Sequence, residues 1–275
     1  MCRQSTRSKA STHCRSRGAI LGVMRRSVSP NSTARRLGVL SRSSGRDADD
    51  LKLVDLHARI RACTKCVAAG YLERARPIVA GSIRDRIAIV GQAPGAVELT
   101  TGQPFSGRSG AELRRWLAEA GIDEDHLPYR TAITKCFPGK SPTGSGDRRP
   151  SPAEIALCRP WLDEELALLR PRVILLLGGL AIDRFWGRVP LESAVGRARL
   201  KDGVTYIPLP HPSGASRWLN DPVHRALLRK GLAHLRRTAR ALDRQARGRT
   251  MRVPRQTEAA LPFRVALPKS ANGRR

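Results

Sequence analysis

Arg86 to Trp116 reads RIAIVGQAPGAVELTTGQPFSGRSGAELRRW, and the order of its residue types sets the expectation for the whole fold. Ile87, Ala88, Ile89 and Val90 make a short apolar run suited to a strand buried on both faces, and Gly91 ends it. The connection that follows carries Pro94, Gly95, Gly102, Pro104, Gly107 and Gly110, so it bends sharply and its backbone can approach a ligand closely. Ser109 and Glu112 form a capping-box pattern, which predicts an amphipathic helix through Leu113, Trp116 and Leu117 that stops at Gly121. A connection of about twenty residues inside a compact domain is uncommon unless it carries function. Phe105, one of 4 Phe in the chain, stands in this glycine-rich connection where no helical or strand period would bury it.

The same alternation repeats along the chain. Tyr129 to Cys136 (YRTAITKC) reads as a second strand, followed by the loop FPGKSPTGSGDRRP. Ser151, Pro152 and Glu154 supply N-cap, first-turn proline and capping partner for a helix through Leu169. Arg172 to Leu177 (RVILLL) is the most apolar run and the candidate central parallel strand, with a short helix through Phe185 and Trp186 after it. Val204 to Leu209 is the fourth strand; it runs into Pro210-His211-Pro212-Ser213-Gly214, and a final helix extends from about Asp221 toward Gln245. Four strand–helix alternations predict an α/β fold, a parallel sheet covered on both faces by helices. GQAPG and Phe105 follow the first strand, Lys135 and Cys136 end the second, and His211 follows the fourth. Right-handed crossovers bring all three loops to the carboxyl edge of the sheet, where open α/β folds bind ligands.

The folded domain is expected over residues 47–245. Residues 1–46 contain no Asp or Glu and too little apolar surface to offset the entropy of ordering, so a basic disordered leader is expected there. Its composition suits an organellar transit peptide or an upstream start that adds residues to the domain. Residues 246–275 return to basic, proline-punctuated sequence and are read as a tail.

Among 275 residues, 51 Lys+Arg face 23 Asp+Glu, and the net charge of +28 points to a polyanionic partner. Nucleic acid and an anionic membrane surface both fit that sign, but no apolar run approaches the ~20 residues of a spanning helix. Of 6 Cys, Cys2 and Cys14 lie in the leader and receive no role. Without a signal peptide the others suggest metal-ligating thiolates in a reduced cytoplasm rather than disulfides. Cys63 and Cys66 form a C-x-x-C, and with Cys136 and Cys158 they match the number needed for a zinc ion or a four-iron cluster. His211 sits between prolines that restrict its backbone, and its ring could donate a hydrogen bond to a developing anion.

Taken together these residues resemble the iron–sulfur branch of the uracil-DNA glycosylase superfamily, the family 4 and family 5 type enzymes, over roughly Leu51 to Arg240. GQAPG with Glu98 resembles that branch's first motif, usually written GEAPGxxED. Gly102-Gln103-Pro104-Phe105-Ser106-Gly107 resembles its G-x-P-F-x-G element, whose Phe stacks on the extruded base. Lys135-Cys136-x-Pro138 is similar to its K-C-x-P element, and His211-Pro212-Ser213 to its second motif. The resemblance implies a three-layer α/β/α sandwich on a four-stranded parallel sheet, and a 4Fe–4S cluster on Cys63, Cys66, Cys136 and Cys158. It also implies a monomeric DNA-repair enzyme of the bacterial cytoplasm or nucleoid that acts on DNA and not on membranes. His211 and Glu98 are then the candidate catalytic groups, and Gly91, Gln92, Ala93, Gly95, Phe105, Ala132 and Ser213 the candidate base-binding set. Lys140 and Arg217 are expected to hold phosphates.

Three departures qualify the match. Gln92 stands where the family usually has Glu, Leu99 follows Glu98 where an Asp is usual, and Ala132 occupies the place of an Asn that reads the uracil edge. The loop between Cys136 and Cys158 is also swollen by GKSPTGSGD. The expected activity is hydrolysis of the N-glycosidic bond of a flipped, deaminated base, with uracil first. The rivals are a glycosylase for another damaged base, an inactive damaged-DNA binder, and a four-cysteine zinc protein that binds nucleic acid without catalysis.

Overall fold

The apolar run after Arg86 becomes β1 (Ile87–Gly91), which pairs in parallel with β2 (Tyr129–Ala132) on one side and β3 (Val173–Leu177) on the other. The computed structural model describes residues 44–143, 146–213 and 217–251. β3 pairs in parallel with β5 (Val204–Leu209), and β4 (Arg199–Lys201) adds an antiparallel edge, giving the order β2-β1-β3-β5-β4. The four parallel strands are those expected, except that β2 ends at Ala132 rather than Cys136, which leaves Lys135 and Cys136 in the connection after it; the fifth strand is an addition. Asp202 and Gly203 both have positive φ, so the two residues make the tight turn that folds β4 back onto β5.

Successive residues of the strands feed opposite layers. Ala88, Val90, Ile174 and Leu176 pack against α1 (Ser44–Arg61), α5 (Pro152–Leu169) and α6 (Gly179–Phe185). Ile89, Leu175, Leu177, Ile207 and Leu209 pack against α4 (Arg108–Glu119) and α8 (Pro222–Met251). The result is the three-layer sandwich, with the short helices α2 (Lys65–Ala68), α3 (Ala96–Thr101) and α7 (Leu191–Ala194) in its connections. Among the described residues no helix is long and apolar enough to cross a membrane.

Ser151 caps α5 as expected: its side chain accepts from the Glu154 amide and Glu154 answers the Ser151 amide. Three expectations need correction. Ser109 is not a cap, because α4 starts at Arg108 with Gly107 as its N-cap, and the Gly107 amide is taken by Glu98. The connection after β1 is not one continuous loop, because Glu98 accepts from the Gly95 amide and caps the start of α3. The final helix does not stop at Gln245; it runs to Met251, since Ala246, Arg247 and Arg249 favour helix and the next proline is Pro254. The domain start shifts slightly in the other direction, to Ser44. The leader up to residue 43 and the tail beyond residue 251 lie outside the described residues.

Candidate active site

Four strand ends, not three, build the cleft. It is lined by Gln92, Ala93, Gly95, Glu98 and Phe105 after β1, Lys140 and Asp147 after β2, Gly178 after β3, and His211 and Ser213 after β5. β1 lies between β2 and β3, so its loop and theirs leave the sheet on divergent courses, which opens a crevice at this edge.

Phe105 is held by its backbone more than by burial. It adopts φ 55, a left-handed conformation that costs a residue with a side chain on the order of 1 kcal/mol. The strain persists because Gly110 passes directly beneath: a Cβ there would lie 1.6 Å from the Phe105 carbonyl oxygen. Arg114 Nη1 donates to that oxygen at 3.3 Å. The ring itself covers Gly91, where a Cβ would meet Cζ at 3.0 Å. Gly91 and Ala132 are register partners at the ends of β1 and β2, on the same sheet face as Phe105. Ala132 therefore stands at the floor beside the ring, although it does not line the open cleft.

Glu98 is buried, and both of its oxygens are engaged. Oε2 accepts from the Gly95 amide at 3.0 Å and Oε1 from the Gly107 amide at 3.4 Å. The carboxylate thus ties the start of α3 to the start of α4 and fixes the loop that carries Phe105, a use of anionic charge at helix N-termini. That occupation argues against Glu98 as the group that handles water. The group that sequence reasoning missed is Asp147. Its Oδ1 pairs with Lys140 Nζ at 2.9 Å, while Oδ2 approaches Gly95, where a Cβ would lie 3.0 Å away. The only sequence signal for it was the swollen loop, which ends by delivering this carboxylate into the cleft.

His211 is packed against Gly178, whose φ of 81 disfavours any side chain and where an added Cβ would lie 3.2 Å from the His211 Cβ. Burial lowers the imidazole pKa below its ordinary value, and the negative charges of Glu98 and Asp147 only partly oppose this. The ring is accordingly neutral at neutral pH, with one N–H to donate.

A second pocket lies behind the first. Cys63, Cys66, Cys136 and Cys158 line it together with Leu72, Pro77, Thr134, Leu157 and Trp161. Two N–H groups point at its sulfurs: the Lys135 amide at 3.2 Å from Cys158 Sγ, and Trp161 Nε1 at 3.3 Å from Cys63 Sγ. The Thr134 hydroxyl is buried there without a partner among the described residues. Burial pushes the Cys136 thiol up to about 12 and the Cys158 thiol up to about 11, and raises Cys66 as well. Among the described residues no three His, Cys, Asp or Glu side chains are placed to hold a single metal ion. Four thiols lining one mostly apolar pocket with inward N–H donors make a donor set that suits an inorganic group whose positive charge offsets that of the thiolates.

The two pockets share a wall. Arg148 lines the cleft and forks onto Glu154 of the cysteine pocket, with N–O distances of 2.6 and 2.7 Å. Behind the wall, Lys135 is fully buried and donates to Thr131 Oγ1 at 2.6 Å and to the Ala132 carbonyl at 2.8 Å, while pairing with Glu165 at 2.6 Å. Glu165 also accepts from Tyr129 and Thr131, and His57 Nε2 meets the Tyr129 hydroxyl at 2.8 Å. A buried charge pair persists only with such full hydrogen bonding, and here it clamps α1, β2 and α5 together.

The sequence signature of the uracil DNA glycosylase superfamily matches residues 79–242, a span holding β1 through most of α8. The chain belongs to that superfamily. Relatives of this superfamily member include the type-4 uracil-DNA glycosylase of Thermotoga maritima, 32% identical over 62% of this chain and 86% of the relative. The type-4 uracil-DNA glycosylase of Pyrobaculum aerophilum is 34% identical over 46% of this chain and 61% of the relative. The type-5 uracil-DNA glycosylase of Thermus thermophilus is 35% identical over 50% and 64% respectively. The superfamily match covers the whole cleft and the half of the cysteine pocket that holds Cys136 and Cys158, whereas Cys63, Cys66 and the segment to Pro77 precede it.

Proposed function

We propose that the protein is a monofunctional DNA glycosylase that releases uracil from DNA in base excision repair. The observation that carries this reading is the convergence of Phe105, His211 and the Gln92–Gly95 backbone in one cleft at the sheet edge. Extruding a nucleotide costs a few kcal/mol, and a stacking platform is needed to hold the base once out. Phe105 supplies it. Amides of the Gln92–Gly95 turn meet the base edge, and Ser213 closes the rim.

As the glycosidic bond breaks, negative charge collects on the base and positive charge on the sugar. His211 donates its N–H to the first, from a ring already oriented by Gly178 and Pro212. Asp147 keeps Oδ2 toward the cleft while Oδ1 pairs with Lys140, and that oxygen would orient a water toward the sugar and oppose its charge, whereas Glu98 holds the loop in shape. Cys63, Cys66, Cys136 and Cys158 would hold a 4Fe–4S cluster, which would cross-link the N-terminal helices to β2 and α5. Support for the cluster over zinc comes from the mostly apolar surroundings of the four thiols and from the N–H donors aimed at two of the sulfurs.

The test is an abasic-site cleavage assay on oligonucleotides that carry uracil, hypoxanthine or xanthine. Uracil release is expected, and silence on all three with intact protein would reject the reading. Phe105→Ala removes base stacking worth about 1–3 kcal/mol and should raise KM as well as slow turnover. Ala132 offers no hydrogen bond to a base edge, and a site without that contact discriminates less. Activity on at least one further deaminated base is therefore expected, with Ala132→Asn raising the uracil rate and narrowing the range. Strict uracil specificity together with no gain in Ala132→Asn would place the reading of the base elsewhere.

A further inference from the structure

We propose that α8 carries a second DNA-binding surface, separate from the cleft, that holds duplex flanking the lesion. The proposal rests on the glycosylase reading only for where the lesion sits. α8 contains a single carboxylate, Asp243, among many cations. Leu228, Leu232, Leu235 and Ala239 face the sheet and are buried. At about 100° per residue, Arg229, Arg236, Arg240 and Arg247 fall within an arc of about 40° on the exposed side. They extend over about 27 Å at the helical rise, the length of roughly eight base pairs of duplex. All four are exposed, and none is engaged in an ion pair among the described residues.

The position of the helix gives the stripe its direction. α8 follows the His211 loop and the short turn Arg217–Asn220, where Trp218 stacks on His224 at 4.0 Å between ring centroids, so its first residues stand at the cleft side. Its far end, at Ala239, Leu242 and Ala246, shares a groove with Arg84 and Ile87 at the opposite edge of the sheet. The stripe thus leads from the lesion outward. Gly231 allows this close seating, since a Cβ there would meet Leu209 Cδ2 at 2.7 Å.

The chemistry of the face selects the partner. α8 has no Phe, Tyr or Trp, so it offers no base-stacking platform of the kind that single-strand binders use. Its apolar side is committed to the sheet, so it cannot enter a lipid interface as an amphipathic helix does. What remains is a straight row of unpaired guanidinium groups, which fits a duplex phosphate backbone without sequence preference.

The experiment compares the full chain with R229Q/R236Q/R240Q/R247Q and with the matching Arg→Lys variant. Binding to a duplex of about thirty base pairs is titrated across salt concentrations, since each phosphate contact contributes about 0.9 to the slope of log K against log salt. The Gln variant should lose about 3–4 from that slope and bind weakly, while the Lys variant keeps it. Single-turnover uracil release at saturating enzyme should be unchanged in both, and a short single strand carrying uracil should be bound equally by all three proteins. An unaltered slope in the Gln variant would overturn the proposal, as would an equal loss on the short single strand. So would lost binding to anionic vesicles or structured RNA with duplex DNA unaffected. If the parent releases no uracil, the proposed function fails while the slope comparison still reports on this surface.

Discussion

His211→Ala lowers the single-turnover rate of uracil release by about 10²- to 10³-fold while leaving the affinity for uracil-containing duplex nearly intact. The size follows from the position of the ring: a preorganised donor to a developing anion typically accounts for a loss of that order when removed. His211 is not a packing residue for the rest of the sheet; its Cβ rests on Gly178 and its side chain opens to the cleft. The pH profile tests the same claim from another side. Burial holds the imidazole pKa below the ordinary 6.5, so the ring takes up its proton at lower pH than a free histidine would. No inflection is expected near 6.5 in the parent enzyme; any acid limb belongs at lower pH. Asp147→Ala should also slow the chemical step, without shifting the base selectivity. A normal rate in His211→Ala at saturating enzyme would take the ring out of the reaction.

The second large effect concerns the cysteines. Cys136→Ala or Cys158→Ala should abolish bound iron, bleach the visible absorption of the protein and lower Tm by about 10 °C or more. The binding free energy of a structural metal group is folding free energy, and for a domain of this size each kcal/mol is worth about 2–4 °C. Cluster assembly in apoprotein should also favour alkaline pH. The Cys136 and Cys158 thiols, pushed up to about 12 and about 11, must give up protons to become ligands, so reconstitution with iron and sulfide is more complete at higher pH. Retention of four iron atoms in either variant would remove that residue from the ligand set, and stoichiometric zinc in place of iron would favour the zinc reading.

The parts of the fold that were legible are those encoded by neighbours in sequence. The VILLL run of β3 needs only its own residues to declare a strand buried on both faces, and Ser151 meets its capping partner Glu154 three positions away. The convergence of Phe105, His211 and the GQAPG turn followed from the handedness of the crossovers. What escaped depended on contacts between distant segments. Glu98 reads as a free carboxylate until the Gly107 amide is found on it. Lys135 looks like a motif residue at a strand end, and nothing near it in sequence announces that Glu165 neutralises it in the core. Asp147 reaches Gly95 only because of the path its loop takes. The β4–β5 hairpin is a different case, since Asp202-Gly203 is a local turn signal that could have been read directly.

The strand order also governs when the enzyme comes into being on the ribosome. β1 emerges early with its flank toward β3 bare, because Ile87 must wait for Val173, and β3 in turn waits for Thr205. Parallel pairing across such spans is slow and leaves apolar strand edges open to other chains meanwhile. Leu209 is covered only when Gly231 of α8 has been made. The arginine row of α8 is therefore the last surface to be made, so a product truncated before it would lack both the cover over Leu209 and the proposed hold on duplex.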